Sequence, residues 1–412
     1  MNHPRVSIIV VSRGRPDALR RCLLSLSQLF YHPFEVVVVA DADGRAAMDE
    51  FAGQTKMIAF DDPNISAARN AGLDHAAGQI VAFIDDDAVA EPSWLDHLIA
   101  PFSDPSVSAS GGWVRGRNGI SFQNKSRMAD KDGQHSPVAH PGPDPILLRG
   151  SADAAPRTEG TNMAWRRAAL ADLGGFNPAY RFFLDETDLN MRLARRGGTT
   201  ALVPLAQVHH GFAPSVYRRA DRVPLDLFEI GASWAVFLNH YSDHPKDARH
   251  AARLAERTRM IRHAIRGNVW PSAIRARLAE FDAGYAEGAT RSDGRWTPAE
   301  PPPFQPFHDA PAVRSSIAIA AGLRKSNAAR RAARAAVANG ERVSLWTLSA
   351  TTLYHQVRFD DGGFWHHAGG IWGRSDRAMP LISPMSIRRR VALEVAKVSK
   401  IREISATHFI EP

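Results

Sequence analysis

The chain has 412 residues, 44% of them hydrophobic and 23% charged, with a formal net charge of +8 at pH 7. That balance belongs to a soluble globular protein long enough for two domains or more at roughly 100–200 residues each, and no apolar run approaches the roughly 18–20 residues of a membrane span. The single cysteine, Cys22, excludes an intramolecular disulfide and permits a reducing cytoplasm.

Residues 6–11 form an apolar, β-branched run, the pattern of a strand buried on both faces of a parallel sheet. After S-R-G-R-P the period becomes helical, with Leu19, Cys22, Leu23, Leu26, Leu29 and Phe30 on one face. Residues 34–39 are a second strand, ending in Asp41-Ala42-Asp43-Gly44. This β-α-β opening places Ser12, Arg13 and Asp41 at the carboxyl edge of the sheet, where open α/β sheets bind nucleotides. Residues 64–72 open the next helix, and its Arg69 projects toward the same side, able to clamp phosphate or to pair with carboxylates. The strand over residues 80–84 then runs straight into Asp85, Asp86 and Asp87. Side chains alternate along an extended chain, so Asp85 and Asp87 face one way and Asp86 the other. Two oxygen donors on one side suit a hard divalent cation, Mn²⁺ or Mg²⁺.

Residues 104–157 are polar, rich in Gly, Ser and Pro, and weakly periodic, which predicts a site-covering loop or irregular strands. In T-E-G-T-N-M, residues 158–163, Asn162 is placed to contact a sugar or to cap a helix. F-F-L-D-E-T-D-L, residues 182–189, brings a second pair of acids, Asp185 and Glu186, to the head of a helix in which Asp188 and Arg192 form an i,i+4 pair. V-H-H-G-F-A-P-S, residues 208–215, offers His209 or His210 as an imidazole ligand beside Asp87.

V-S-I-I-V-V-S-R-G-R-P, F-E-V-V-V-V-A-D-A-D-G, I-S-A-A-R-N-A-G-L-D-H-A-A-G-Q-I-V-A-F-I-D-D-D-A-V, G-T-N-M-A-W-R-R and F-F-L-D-E-T-D-L-N-M-R-L occur in the order and spacing of glycosyltransferase family 2, which residues 5 to 215 resemble. The resemblance implies a GT-A fold, an α/β domain with a Rossmann-like, mostly parallel sheet flanked by helices, and inverting transfer from a nucleoside-diphosphate sugar, UDP-, dTDP- or GDP-linked. It implies base recognition by Asp41, with Asp43 as second choice, and nucleotide-sugar contacts from Ser12, Arg13, Arg69, Asp85, Asp86 and Asn162. Metal would be held by Asp87, Asp85 and His210, the spacing to F-A-P-S favouring His210 over His209. Glu186 takes the position of the general base, and Asp185 competes with it because the family commonly writes these two acids in the opposite order.

The back half is basic and helical over residues 216–295, and residues 296–313, W-T-P-A-E-P-P-P-F-Q-P-F-H-D-A-P-A-V, read as a proline-rich linker. A β-α-β pattern restarts over residues 314–412, resembling the opening of a GT-B glycosyltransferase domain that is too short to hold both lobes. The basic excess here lacks interleaved aromatics, so nucleic acid is not an expected partner. The acceptor expected is a saccharide, lipid-linked among the options, which makes peripheral contact with the inner membrane face a minor alternative to a plainly cytoplasmic protein. The N-terminus passes directly into a strand with no leader pattern. The competing function is a catalytically idle nucleotide- or carbohydrate-binding scaffold for a partner transferase.

Overall fold

The computed structural model describes residues 3–307 and 315–410. It opens with β1 (Val6–Ser12), α1 (Pro16–Leu26), β2 (Phe34–Ala40), α2 (Ala42–Ala46), β3 (Lys56–Ala59), α3 (Ile65–Leu73) and β4 (Ile80–Asp85). β1 lies between β2 and β4 and parallel to both, and β2 pairs in parallel with β3. Ile8 and Val10 point to the face covered by Leu19, Leu23 and Leu26 of α1, while Ile9 points to the other face, under Ala68 and Leu73 of α3. Burial on both faces is why these strands read as continuous apolar runs. Gly72 lets α3 come close, since a Cβ there would stand 2.7 Å from a methyl of Ile9.

The next elements are β5 (Ala88–Ala90), α4 (Trp94–Ile99), β6 (Val107–Arg115), β7 (Phe122–Asn124), β8 (Arg127–Asp130), β9 (His135–Pro137), β10 (Ile146–Arg149), β11 (Ala154–Arg157), β12 (Met163–Arg166), α5 (Arg167–Leu173), α6 (Asp185–Arg195) and β13 (Thr199–His210). The main sheet runs β10-β13-β6-β12-β4-β1-β2-β3. It is mixed rather than mostly parallel, because β12 enters antiparallel between β4 and β6, and β10 is antiparallel to β13. The weakly periodic stretch forms short strands, including a separate three-stranded sheet, β11-β8-β9.

Three helices follow, α7 (Phe228–Tyr241), α8 (Pro245–Ile265) and α9 (Pro271–Gly288). α7 is buried nearly all round, and it crosses α9 closely where a Cβ on Gly284 would stand 1.9 Å from the carbonyl oxygen of Phe228. The proline-rich segment is no free linker. Trp296 is buried and donates its indole N–H to Asp74 at 2.7 Å, the Gln305 N–H donates to Glu35 at 2.9 Å, and Phe307 sits between Phe34 and Phe51. Proline suppresses secondary structure here without suppressing packing, and the segment is a strap over the first sheet. Residues 308–313 of that segment lie outside the described residues.

The C-terminal unit contains β14 (Ser316–Gly322), α10 (Ser326–Ala338), β15 (Arg342–Ser349), β16 (Gln356–Asp360), β17 (Phe364–Gly370), α11 (Ile387–Arg402) and β18 (Ala406–Phe409). Its sheet runs β16-β17-β15-β14-β18, with only β16 antiparallel to its neighbour. It abuts the first sheet through Gln28, whose side chain donates to the Gly363 carbonyl, and through the Arg342 guanidinium, which donates to the carbonyls of Gln28 and Leu29 at 2.6 and 3.1 Å.

Candidate active site

The carboxyl ends of β1 and β4, the end of β13 and the head of α6 open onto one cavity of about 320 Å³. Asp85 is the last residue of β4, beside Val11 of β1. The chain turns at once into β5, which pairs antiparallel with β13 and sets His210 opposite Ala88. That pairing carries the His210 ring to Asp87, Nε2 to Oδ1 3.1 Å. Asp85, Asp87 and His210 each offer one ligand atom, and the three atoms lie within 4.8 Å of one another. Two carboxylates and an imidazole form a donor set suited to a hard or borderline divalent cation. Neighbours already aim these donors: Gln123 Oε1 lies 3.1 Å from His210 Nδ1, and the Ala213 N–H donates to Asp87 Oδ2 at 2.7 Å. Burial works against both charges in the His210–Asp87 pair, yet their mutual attraction prevails, raising the imidazole and holding the carboxyl well below its usual range.

Asp86 faces away from the cavity, on the side expected of it, although it stands in the turn after β4 rather than in an extended strand. It is fully buried, accepts from the Ser12 hydroxyl at 2.7 Å and meets Arg15 at 2.6 Å. Burial, opposed by Arg15 and reinforced by the charge on Asp87, pushes it up to about 7. The second Arg15 nitrogen lies 3.3 Å from Asp87, so this one guanidinium straddles both acids.

The second acid block reaches the same cavity from α6. Leu184 immediately before it has φ 65°, a left-handed conformation that costs a branched side chain about 1 kcal/mol or more and is held by burial of the residue. That turn starts the helix with Asp185 and Glu186 facing the cavity. Arg69 joins the two blocks: one guanidinium nitrogen contacts Asp185, and another lies 3.5 Å from Asp85 and 3.2 Å from the Gly160 carbonyl. The rings of Phe83 and Phe176 flank it. Gly160 is required for that approach, because a Cβ there would stand 2.6 Å from the guanidinium.

Glu186 pairs with Arg157 at 3.0 Å, and Arg157 also meets Glu159 at 3.0 Å. Burial, opposed by Arg69 and reinforced by Glu186, pushes Asp185 up to about 7. Burial likewise, opposed by Arg157, pushes Glu159 up to about 7. Glu186 is less fully enclosed, and Arg157 outweighs its burial and holds it below the usual range, so it is the ionised member of the pair at neutral pH.

Ser12, Arg13, Arg69, Asp85, Asp87, Asp185, Glu186 and His210 all line the cavity. Asp41, Asp43, Asp86 and Asn162 do not, the carboxylate of Asp86 being taken up by Ser12 and Arg15. Asp41 spends its carboxylate on the N–H groups of Gly14 and Gly44, at 2.7 and 2.9 Å, capping α2. Asp43 is exposed on that short helix. Asn162 is fully buried: its amide donates to the carbonyls of Trp113 and Ala206 and accepts from the Trp94 indole. Its neighbours Glu159, Gly160 and Thr161 line the cavity instead. His209 points through the sheet to Glu91, 2.7 Å away. Sequence reasoning missed Arg15, Gln123, Arg157 and Glu159. Arg15 and Glu159 stand inside quoted motifs and Arg157 directly before one, whereas Gln123 carries no signal in the sequence.

A helix-flanked α/β sheet with a D-x-D pair at the end of a central strand, answered across the cavity by acids at a helix head, is the GT-A arrangement. Residues 7–174 match the sequence model of the family described as glycosyl transferase family 2. The match ends before Asp185, Glu186 and His210. Among curated proteins, the chain is 29% identical over 245 residues to the O-antigen biosynthesis protein RfbC of Myxococcus xanthus, covering 54% of this chain and 18% of the relative. It is 27% identical over 218 residues to the pre-mycofactocin glycosyltransferase of Mycobacterium tuberculosis strain H37Rv, covering 51% of this chain and 43% of the relative. The chain thus spans less than half the length of either relative. Among solved structures, the mannosyltransferase PcManGT from Pyrobaculum calidifontis in complex with GDP-Man and Mn²⁺ is 17% identical, with a TM-score of 0.43 over 70% of this chain and 88% of that one. No helix among the described residues is long and apolar enough to cross a membrane.

Proposed function

We propose that this protein is an inverting glycosyltransferase that moves a sugar from a nucleoside-diphosphate sugar to a saccharide acceptor with the help of a divalent cation. The observation that carries this reading is the convergence, through Arg69, of two acid groups about a hundred residues apart on one cavity. The cation, held by Asp85, Asp87 and His210, would neutralise charge developing on the departing diphosphate. Asp87 and His210 are held in place by the Ala213 N–H and Gln123. Arg15 and Arg13 add positive charge on the donor side of the cavity. Glu186 takes the proton from the acceptor hydroxyl, since it is ionised at neutral pH and Arg157 fixes its orientation. Asp185, clamped by Arg69, is the alternative base. The rings of Phe182 and Tyr217, 4.2 Å apart at the cavity mouth, suit a sugar face on the acceptor side.

Thermal shifts with UDP-, dTDP- and GDP-sugars, with and without Mn²⁺, test the reading together with release of nucleoside diphosphate. One donor class should stabilise the wild type only when metal is present. Asp87→Ala should keep the fold and lose both metal-dependent stabilisation and turnover by more than about a thousandfold. Full turnover by folded Asp87→Ala would end the metal assignment.

A further inference from the structure

A second cavity, of about 450 Å³, lies where the C-terminal unit meets the first sheet. Residues of β13 and β7 stand between it and the candidate active site. On β13, His210 lines the first cavity and His209 the second; along β7, Gln123 and Asn124 line the first, Phe122 and the following Lys125 the second.

The charges facing this cavity do not balance. Glu91 accepts two hydrogen bonds from Arg402, at 2.6 and 2.8 Å, and Glu394 lies 3.2 Å from Arg390 and 3.3 Å from Lys397, so both acids are already answered. Asp376 is the other acid in the lining. Against it stand Arg115, Lys125 and Arg377, none of which is ion-paired among the described residues. Arg115 donates only to neutral acceptors, the Gln207 side chain at 2.8 Å and the Ile120 carbonyl at 2.9 Å, and its guanidinium lies 4.3 Å from the centre of the Phe122 ring. Lys125 Nζ hangs over the rings of Trp113 and Phe122 at 4.9 and 5.2 Å. An aromatic face holds a cation in place without cancelling its charge. Burial lowers Arg115 to about 10, Arg402 adding to the effect and the charges of Glu91 and Asp376 offsetting only part of it.

We infer that this cavity binds a small phosphate-bearing anion, with Arg115 and Lys125 as its principal contacts and Arg377 at its rim. A phosphate dianion matches the surplus of cations over acids better than a single carboxylate does, and a guanidinium presents a fork to its oxygens. The ligand could be inorganic phosphate or a sugar phosphate, which share that chemistry.

Calorimetric titration of the full chain in chelator, with inorganic phosphate and with glucose 1-phosphate, tests the inference. Wild type and Asp87→Ala should bind alike, since Asp87 belongs to the other cavity. Lys125→Ala, an exposed change that leaves the fold intact, should bind about tenfold more weakly, and Arg115→Gln weaker by a similar factor. Equal affinity for the two probes assigns the site to the phosphate group alone, and tighter glucose 1-phosphate assigns it to a sugar phosphate. Binding that is unchanged in Lys125→Ala, binding lost in Asp87→Ala, or no binding at about 10 mM of either probe would overturn it.

Discussion

At the end of β4 the first sheet presents Asp85 and Asp87 to an open cavity, whereas at the end of β15 the C-terminal sheet presents Ser349, whose hydroxyl is 2.6 Å from that of Thr351. The crest around Ser349 is closed by the chain itself: a Cβ on Gly373 would stand 1.8 Å from the Leu353 carbonyl, and one on Gly370 2.1 Å from that of Thr351. Both units open as β-α-β with parallel strands. The buried charge of the second, however, is directed sideways. Arg402 at the end of α11 grips Glu91 of the first unit, lies 2.6 Å from His367 Nε2 and stacks over Trp365. The same folding grammar thus serves a site in one half and a joint in the other. What decides is whether the strand ends are left open and what stands at them.

The largest expected effect tests the open crest. Glu186→Gln should retain donor binding, because the diphosphate side of the cavity is untouched, and lose transfer by about a hundredfold to ten-thousandfold. Steady-state rates beside donor affinity separate the two effects. If Glu186→Gln turns over normally and only Asp185→Asn fails, the base is Asp185, and Glu186 is left as a partner for Arg157.

How far the sequence shows this difference depends on the kind of signal. The strands of the first sheet are buried on both faces, so their apolar runs are legible, and the end of the β4 run marks where the acids stand, though Asp86 and Asp87 lie in the turn beyond it and are aimed by that turn and by β5. Asn162 and Asp41 were misplaced because an amide or carboxylate at a turn reads the same whether it meets ligand or backbone, and here backbone N–H and carbonyl groups use both. The strap was misread because proline density reports the absence of regular structure and says nothing about burial, which Trp296 and Phe307 supply. The joint at Glu91 and Arg402 spans over three hundred residues and has no local pattern. Nor does the GT-B-like opening expected of residues 314–412 account for it, since Arg402 and His367 face the first sheet.

The joint is tested by stability. Arg402→Met removes the guanidinium from fully buried Glu91, leaving His209 as its main partner, and should cost about 3–5 kcal/mol in urea unfolding. The double variant Glu91→Met, Arg402→Met removes the uncompensated charge and should recover most of that loss. A single variant within about 1 kcal/mol of wild type would mean that the C-terminal unit rests on the first without this clamp.

The smallest effect separates the halves by pH, measured in chelator. Burial pushes Glu159, in the candidate active site, up to about 7, so the folded state holds its proton more tightly than the unfolded chain does. Its contribution is complete below about 4.5 and is lost as pH rises through about 7. His367, at the joint, behaves in the opposite sense. Burial first, then Arg402, lowers it well below its usual value, so its contribution is complete above about 6.5 and is lost as pH falls. Stability should therefore decline on both sides of a maximum between about pH 5 and 7, the alkaline limb shared by Glu159, Asp86 and Asp185 of the first unit, the acid limb by His367 at the joint and the depressed Asp87 and Glu186. Glu159→Gln should flatten only the alkaline limb, by about 1–2 kcal/mol between pH 5 and 9, since a neutral amide stands in for the protonated acid. An alkaline limb that survives this change intact would show that Glu159 stays ionised in the fold, with Arg157 neutralising it fully.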